Sequence, residues 1–257
     1  MKILVPTKRV PDTDQKIRVR DDRQGVDIEH LPFVINPFDA IALEEAIRIG
    51  EQRDSVEVLA VGIGTALYEA ELRTALAMGA DRALLVEVED YDDSRGGLDP
   101  WNVACLLREI VRREHSDLVL MGKQAVDDDA GQVAQFLAAL LDWPQATCAS
   151  AVEIQPEGLR VARETDSGIE TIETSLPAVI STDLRLNEPR YASLPSILKS
   201  RKKPIERIPL ADLGLEQEPR IEILEMEAVS AERSCQFADN VDQLVGFLRQ
   251  DTEATEE

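Results

Sequence analysis

Short apolar runs alternate with amphipathic stretches through the first 148 residues. Lys2–Lys8 has the length and continuity of a buried strand, and Val56–Gly62, Ala83–Val88 and Leu118–Met121 repeat the type. Segments with helical spacing lie between them. After Asn36-Pro37, Leu43 and Ile47 fall on one face. Asn36 can cap that helix, Pro37 suits its first position and Asp39 favours the positive end of its dipole. A second helix is predicted from about Ala66 to Met78, with Leu72, Ala75 and Leu76 inward and Gly79 as the stop. Pro100–Glu114 turns Val103, Leu106, Leu107 and Ile110 inward, and a fourth helix is predicted from about Ala130 to Leu141. Strands alternating with helices imply a parallel sheet with right-handed crossovers.

From Ala149 the period shortens. Ala149–Ile154, Leu159–Glu164 and Glu170–Ser175 read as short strands, with turns at Pro156–Gly158 and Ser167–Gly168, and Pro177–Ile180 reads as a buried strand. Asp12–Asp27, with its alternating piece Ile17–Val19, is a polar excursion, and Asp90–Asp99 a polar loop. Asp183–Lys203 leaves regular structure, with Pro189 and Pro195 as breakers. Leu194 and Ile197 stand there among polar residues, and Lys199, Arg201, Lys202 and Lys203 close the segment. The remaining residues are acidic, with one candidate helix, Val241–Arg249, capped by Asn240 and Gln243, and a disordered tail expected from Asp251. The expected division is an α/β unit over 1–182 with added antiparallel strands from about 149, a loop over 183–203, and a C-terminal arm and acidic tail over 204–257.

Charge changes this picture at one place. Lys and Arg number 28 against 50 Asp and Glu, a formal charge of −22. That excludes a general nucleic-acid binder, which must neutralise phosphate. A basic cluster at 199–203 in so acidic a chain reads either as a surface kept for a partner or as an ordinary solvated charge run. Cys105, Cys148 and Cys235 are widely spaced and form no CxxC, so three reduced thiols of a cytoplasmic protein are expected. His30 and His115 lack metal-ligand spacing. No run is long enough to span a membrane, and MKILVPTK reads as a strand rather than a signal peptide.

Ligands of an open parallel sheet bind beyond the carboxyl ends of its strands, here Pro6–Arg9, Gly62–Thr65 and Gly122–Gly131. The last runs strand, glycine, polar loop, helix, a geometry that can hold phosphate on backbone N–H groups. Its side chains include Asp127, Asp128 and Asp129. In one reading Asp129 and Gln132 merely cap the helix. In the other the carboxylates point away or bind ribose hydroxyls, and the N–H groups of Gly131, Gln132 and Val133 face phosphate. No GxSxG elbow, HExxH, P-loop or GxGxxG is present, which fits a carrier better than a hydrolase.

DLRLNEPRYASLP followed by the Lys/Arg run resembles the recognition loop of the electron-transfer flavoprotein β subunit. KILVPTKRVPD, NPFDAIALEEAIR, GKQAVDDDAGQ, LRTALAMGADRALLVEV and LDWPQAT resemble further stretches of that family, in order, from residue 2 to about 208. The resemblance implies an α/β nucleotide-binding fold: an open, mostly parallel sheet with helices on both faces. It implies a non-enzymatic subunit of a heterodimer, in which an α subunit holds most of the FAD. Electrons would come from acyl-CoA or related flavoprotein dehydrogenases and leave to a membrane quinone oxidoreductase. It also implies a structural AMP against Pro6, Asn36, Pro37, Phe38, Asp39, Ala60 and Ile63. The AMP would also meet the loop residues Gly122, Lys123, Gln124, Ala125, Val126, Asp127, Asp128, Asp129, Ala130, Gly131, Gln132 and Val133. Gly131 and Val133 replace the Asn and Thr common in the family, so phosphate would rest on backbone N–H groups. Phe38 and Thr13 would approach the flavin. Leu194, Pro195, Ile197, Lys199, Arg201, Lys202 and Lys203 would dock the dehydrogenase. Two alternatives stay open: a bifurcating relative with a second FAD in the AMP site, or a free-standing adenine-nucleotide enzyme or sensor.

Overall fold

The computed structural model describes residues 1–89, 91–95, 97–215, 219–228, 235 and 237–254. Two compact units are present, Met1–Met226 and Glu227–Glu257. The first begins with β1 (Lys2–Pro6), β2 (Arg9–Pro11), β3 (Phe33–Ile35) and α1 (Pro37–Gln52). It continues through β4 (Glu57–Gly64), α2 (Glu69–Met78), β5 (Arg82–Glu87), α3 (Pro100–Glu114), β6 (Leu118–Gly122) and α4 (Val133–Leu141). β7 (Gln145–Gln155), β8 (Gly158–Thr165), β9 (Gly168–Thr174), β10 (Ala178–Thr182), α5 (Leu194–Ser200) and β11 (Glu206–Pro209) complete it. The second unit carries α6 (Val241–Ala254).

A nine-stranded sheet runs β11-β5-β4-β1-β6-β10-β7-β8-β9. Pairing is parallel from β11 to β7, and antiparallel only where β8 and β9 extend β7. β2 and β3 form a separate antiparallel pair. The expected α/β fold is therefore present. Alternation along each central strand divides the core. Ile3, Val58, Ala60, Leu118 and Leu120 face α1 and α2, whereas Leu4, Leu59, Val61, Val119 and Met121 face α3 and α4. Both faces are covered, which is why these strands read as continuous apolar runs. Among the described residues no helix is long and apolar enough to cross a membrane.

Several local expectations are corrected. The sheet does not end at residue 182, because β11 pairs in parallel with β5. The segment around Leu194 is not irregular: Ser193 accepts the Ser196 N–H and caps α5, with Pro195 in its first turn. The second predicted helix opens with a 3₁₀ turn, Ala66–Tyr68, and becomes α-helical at Glu69. The fourth starts at Val133 rather than Ala130, because Asp129 and Gly131 take φ of 52° and 60°, outside the helical region. α6 continues to Ala254, past Arg249, into the expected disordered tail. Asp90 and Gly96 of the polar loop lie outside the described residues, as do 216–218, 229–234, 236 and 255–257 of the expected arm.

Candidate functional site

After β1 the chain adds β4 and β5 on one side and then β6 on the other. The loops leaving the carboxyl ends of β1 and β6 diverge at this switch, which opens a crevice. It forms a cleft walled by both loops. Val61, Ile63, Leu98, Val103, Leu107 and Met121 supply apolar surface; Thr7, Lys8, Asn36, Asp39 and the 122–133 loop supply polar groups.

Asp39, in the first turn of α1, ties the two loops together. Its Oδ2 accepts the Lys8 N–H at 2.8 Å and its Oδ1 the Gly122 N–H at 3.0 Å. A Cβ on Gly122 would lie 2.5 Å from that Oδ1 and 2.6 Å from Phe38 Cβ, so only glycine permits the approach. Burial pushes the Asp39 carboxyl up to about 7, against the downward pull of the Lys8 N–H, Asn36 and the Gly122 N–H.

Asn36 stands at the N-cap position of α1 but makes no side-chain cap bond. Its Nδ2 donates to the Gln124 carbonyl at 2.9 Å and its Oδ1 accepts the Val126 N–H at 3.3 Å. The loop's backbone, turned inward, needs those partners more than the helix needs a cap. Asp129 likewise does not cap α4; it accepts from Gln124 Nε2. Gln132, at the N-cap of α4, makes no side-chain cap bond. Among the described residues, the N–H groups of Gly131, Gln132 and Val133 donate to no protein acceptor. Unpaired N–H groups at a helix start suit an anion.

The three consecutive aspartates do not oppose this. Lys8 Nζ lies 2.8 Å from Asp127 Oδ2 and 3.0 Å from Asp128 Oδ2. Burial lowers the Lys8 pKa, but Asp127 and Asp128 more than offset it, so the ammonium stays charged well above its ordinary range. Lys8 was missed at the sequence level, although it is one of two cations on the Pro6–Arg9 edge and a natural partner for an acidic loop.

The structure brings Pro6, Asn36, Asp39, Ile63, Gly122, Lys123, Gln124, Ala125, Asp128, Ala130, Gly131, Gln132 and Val133 to the cleft. Pro37, Phe38, Val126, Asp127 and Asp129 adjoin these in the chain without lining it. Ala60 is fully buried and faces α1 and α2, one residue out of phase with Val61 and Ile63. Phe38 is 6 % exposed, with the Lys123 ammonium 5.3 Å from its ring centroid, whereas Thr13 is exposed. Lys123 also pairs with Asp183 Oδ2 at 2.7 Å.

In the second group, Leu194 is 70 % exposed, and Pro195, Ile197, Lys199, Arg201 and Lys202 are also exposed. Lys203 is different. Its Nζ donates to the Ala80 carbonyl at 2.8 Å, so it holds the end of α5 against the α2–β5 turn.

The family model for the electron transfer flavoprotein domain matches residues 25–213. Electron transfer flavoprotein subunit beta of Bradyrhizobium diazoefficiens is 44 % identical over 249 residues, 97 % of this chain and 98 % of that one. The human protein of the same description is 44 % identical over 250 residues, 97 % of each chain. Electron transfer flavoprotein subunit beta, mitochondrial, of Oryza sativa subsp. japonica is 47 % identical over 249 residues, 97 % of this chain and 98 % of that one.

Proposed function

The chain belongs to the electron transfer flavoprotein β-subunit family, and on that premise we propose that it pairs with an α subunit in a heterodimeric electron carrier. In this reading electrons pass from acyl-CoA or related flavoprotein dehydrogenases to a membrane quinone oxidoreductase. FAD, held mostly by the α subunit, supplies the redox chemistry. This chain's share is to bind, orient and dock, and it is not itself an enzyme. We place it in the cytoplasm, where Cys105, Cys148 and Cys235, all unpaired, stay reduced.

One observation carries the nucleotide part of the reading. The N–H groups of Gly131, Gln132 and Val133 lack protein acceptors, and all three residues line a cleft with an apolar wall. An adenine nucleotide fits that pairing: phosphate on the N–H groups, base against Ile63, Val103 and Met121. Pro6 offers no N–H, so the β1 edge contributes shape only. AMP in this cleft has a structural role, because none of the described residues there is arranged as nucleophile and base. Towards the flavin, exposed Thr13 is free to make contact, and buried Phe38 supports Lys123 from beneath. Leu194, Pro195, Ile197, Lys199, Arg201 and Lys202 form the dehydrogenase-facing surface.

Quantifying nucleotides released by denaturing the purified heterodimer tests this reading. One FAD and one AMP per heterodimer are expected. Two FAD and no AMP would place the chain with the bifurcating relatives. A stable monomer that turns over nucleotide and binds no flavin partner would instead favour a free-standing enzyme or sensor.

A further inference from the structure

An acidic loop beside an anion site is an electrostatic conflict, and its resolution depends on one side chain. Each carboxylate of Asp127–Asp129 is held within the loop or by Lys8. Asp127 Oδ1 accepts the Asp128 N–H at 3.0 Å, Asp128 Oδ1 accepts the Ala130 N–H at 3.1 Å, and Asp129 is taken by Gln124. The remaining oxygens of Asp127 and Asp128 turn to Lys8 Nζ. Lys8 is itself fixed at both ends. Its N–H is held by Asp39, and its carbonyl accepts the Asn36 N–H at 2.9 Å. Its side chain is only 20 % exposed, so water screens these pairs weakly.

We propose that Lys8 is a positioning residue for the nucleotide phosphate. Its ammonium neutralises Asp127 and Asp128 and holds their carboxylates away from the N–H groups of Gly131, Gln132 and Val133. The inference rests on the nucleotide reading above, but concerns how this chain makes that site acceptable to an anion. Without Lys8, two carboxylates are left half-buried beside the cradle. They then either repel phosphate or swing in and take the N–H groups themselves.

Charge removal separates this role from direct ligation. The full chain is purified with its α subunit, and AMP affinity is measured by equilibrium dialysis alongside bound-nucleotide content. Lys8→Met lowers AMP affinity on the order of tenfold or more. Lys8→Arg keeps the charge and most of the affinity. The decisive variant is Lys8→Met with Asp127→Asn and Asp128→Asn, since asparagine carbonyls still accept the Asp128 and Ala130 N–H groups. It recovers affinity to within roughly threefold of wild type, because removing the carboxylates removes the need for a counter-ion. If Lys8→Met binds AMP as wild type does, or if the triple variant binds as weakly as Lys8→Met, the inference is overturned. A wild-type heterodimer with no AMP would overturn the nucleotide reading, and this inference with it.

Discussion

Arg190 closes on Glu44. The carboxylate of Glu44, 3 % exposed in α1, accepts the Arg190 N–H at 3.1 Å, its Nε at 2.8 Å and its Nη2 at 3.0 Å, and also Arg48 Nε at 2.8 Å. Arg190 continues to Glu51, and Asn187 Nδ2 donates to the Ile41 carbonyl at 3.1 Å. The segment before α5 is thus riveted to α1 while Leu194 stays exposed. Glu44→Ala leaves Arg190 without its buried partner. Arg190 is itself a third exposed and keeps Glu51, so the cost lies between that of an exposed and a buried pair, about 1–2 kcal/mol. Thermal melting should show the loss. Limited proteolysis should find new cleavage between residues 184 and 192; a variant with wild-type melting and no new cleavage would show that the rivet is dispensable.

A second ion cluster makes an acid-sensitive contribution to the fold. Glu114, at the end of α3, accepts from Arg82 at 2.7 Å and 3.2 Å and from Lys2 at 2.8 Å. Arg82 also reaches Glu57 and Glu206, which joins β1, β4, β5 and β11 at the amino-terminal end of the sheet. The Arg82 hydrogen bonds, opposed by burial and aided by Lys2, hold the Glu114 carboxyl down at about 2, against an ordinary 4.5. A depressed acid stabilises the fold fully above its unfolded pKa and loses that contribution as pH falls through its folded one. Denaturant midpoints should therefore decline between about pH 4.5 and 2, and Glu114→Gln should be less stable at neutral pH with a shallower decline. Equal slopes in the two proteins would remove Glu114 from the account.

The parallel core was legible because both of its faces are buried, so each central strand is a continuous apolar run and each helix a periodic one. Pro100–Glu114 carried its boundaries openly: Asp99 caps, Pro100 opens, and His115 ends the helix at φ 52°. β11 was not legible. Glu206–Pro209 has one buried side chain, Ile208, and is an edge strand recognisable only by its partner β5. The site was half legible. Strand-glycine-loop-helix marked the cradle, but Asn36 reads locally as a cap, and only the fold shows that its amide serves the loop 88 residues away. The Lys8 pairs span 119 and 120 residues, beyond any local pattern.

Gly131 tests the cradle without dismantling it. Proline there would do more than delete an N–H, since its φ near −65° cannot match the observed 60°. A Cβ would meet the Lys123 carbonyl at an ordinary 3.5 Å, so Gly131→Ala pays only for the left-handed backbone, about 1 kcal/mol. The variant should fold and assemble but retain severalfold less AMP. Gly131→Asn, which tolerates that backbone region, should retain more. If alanine and asparagine behave alike, backbone conformation at 131 does not control the site.

Leu194 opens α5 beside Pro195, exposed above a helix fixed from below by Arg73, whose Nη1 donates to the Ser200 carbonyl at 2.8 Å. An exposed apolar side chain on a helix held in place is suited to be an interface anchor, and truncating one costs on the order of 2 kcal/mol. On the docking surface proposed above, Leu194→Ala should slow electron acceptance from the dehydrogenase roughly thirtyfold at subsaturating concentrations. The flavin spectrum and the melting temperature should not change. Unaltered transfer kinetics would remove Leu194 from the docking surface.

The first unit runs to Met226. Leu210, Leu213 and Leu215 pack against the α3–α4 side of the core, so a truncation at 210 would cut into it. The chain stays engaged further on. The Arg220 N–H donates to Asp99 Oδ2 at 3.0 Å and its guanidinium lies 4.4 Å from the Trp101 ring centroid, while the Met226 N–H donates to the Arg23 carbonyl at 2.9 Å. Beyond 226 the character changes. In α6, Val241, Leu244 and Val245 share one helical face and are all exposed. A unit this short seldom folds on a core of its own, and an apolar face on a capped helix is poorly explained as a solvated tail. Asn240 Oδ1 accepts the Gln243 N–H at 2.9 Å, so the helix start is specified. We propose that this face packs on the α subunit, which accounts for both features. Deleting 227–257 should leave a chain whose melting changes little, because every strand and helix of the first unit is retained. The same chain should lose its α subunit on size-exclusion chromatography. Two outcomes would count against the arm: a truncated chain that still elutes as the heterodimer, or one whose own melting temperature falls, which would return α6 to this chain's own core.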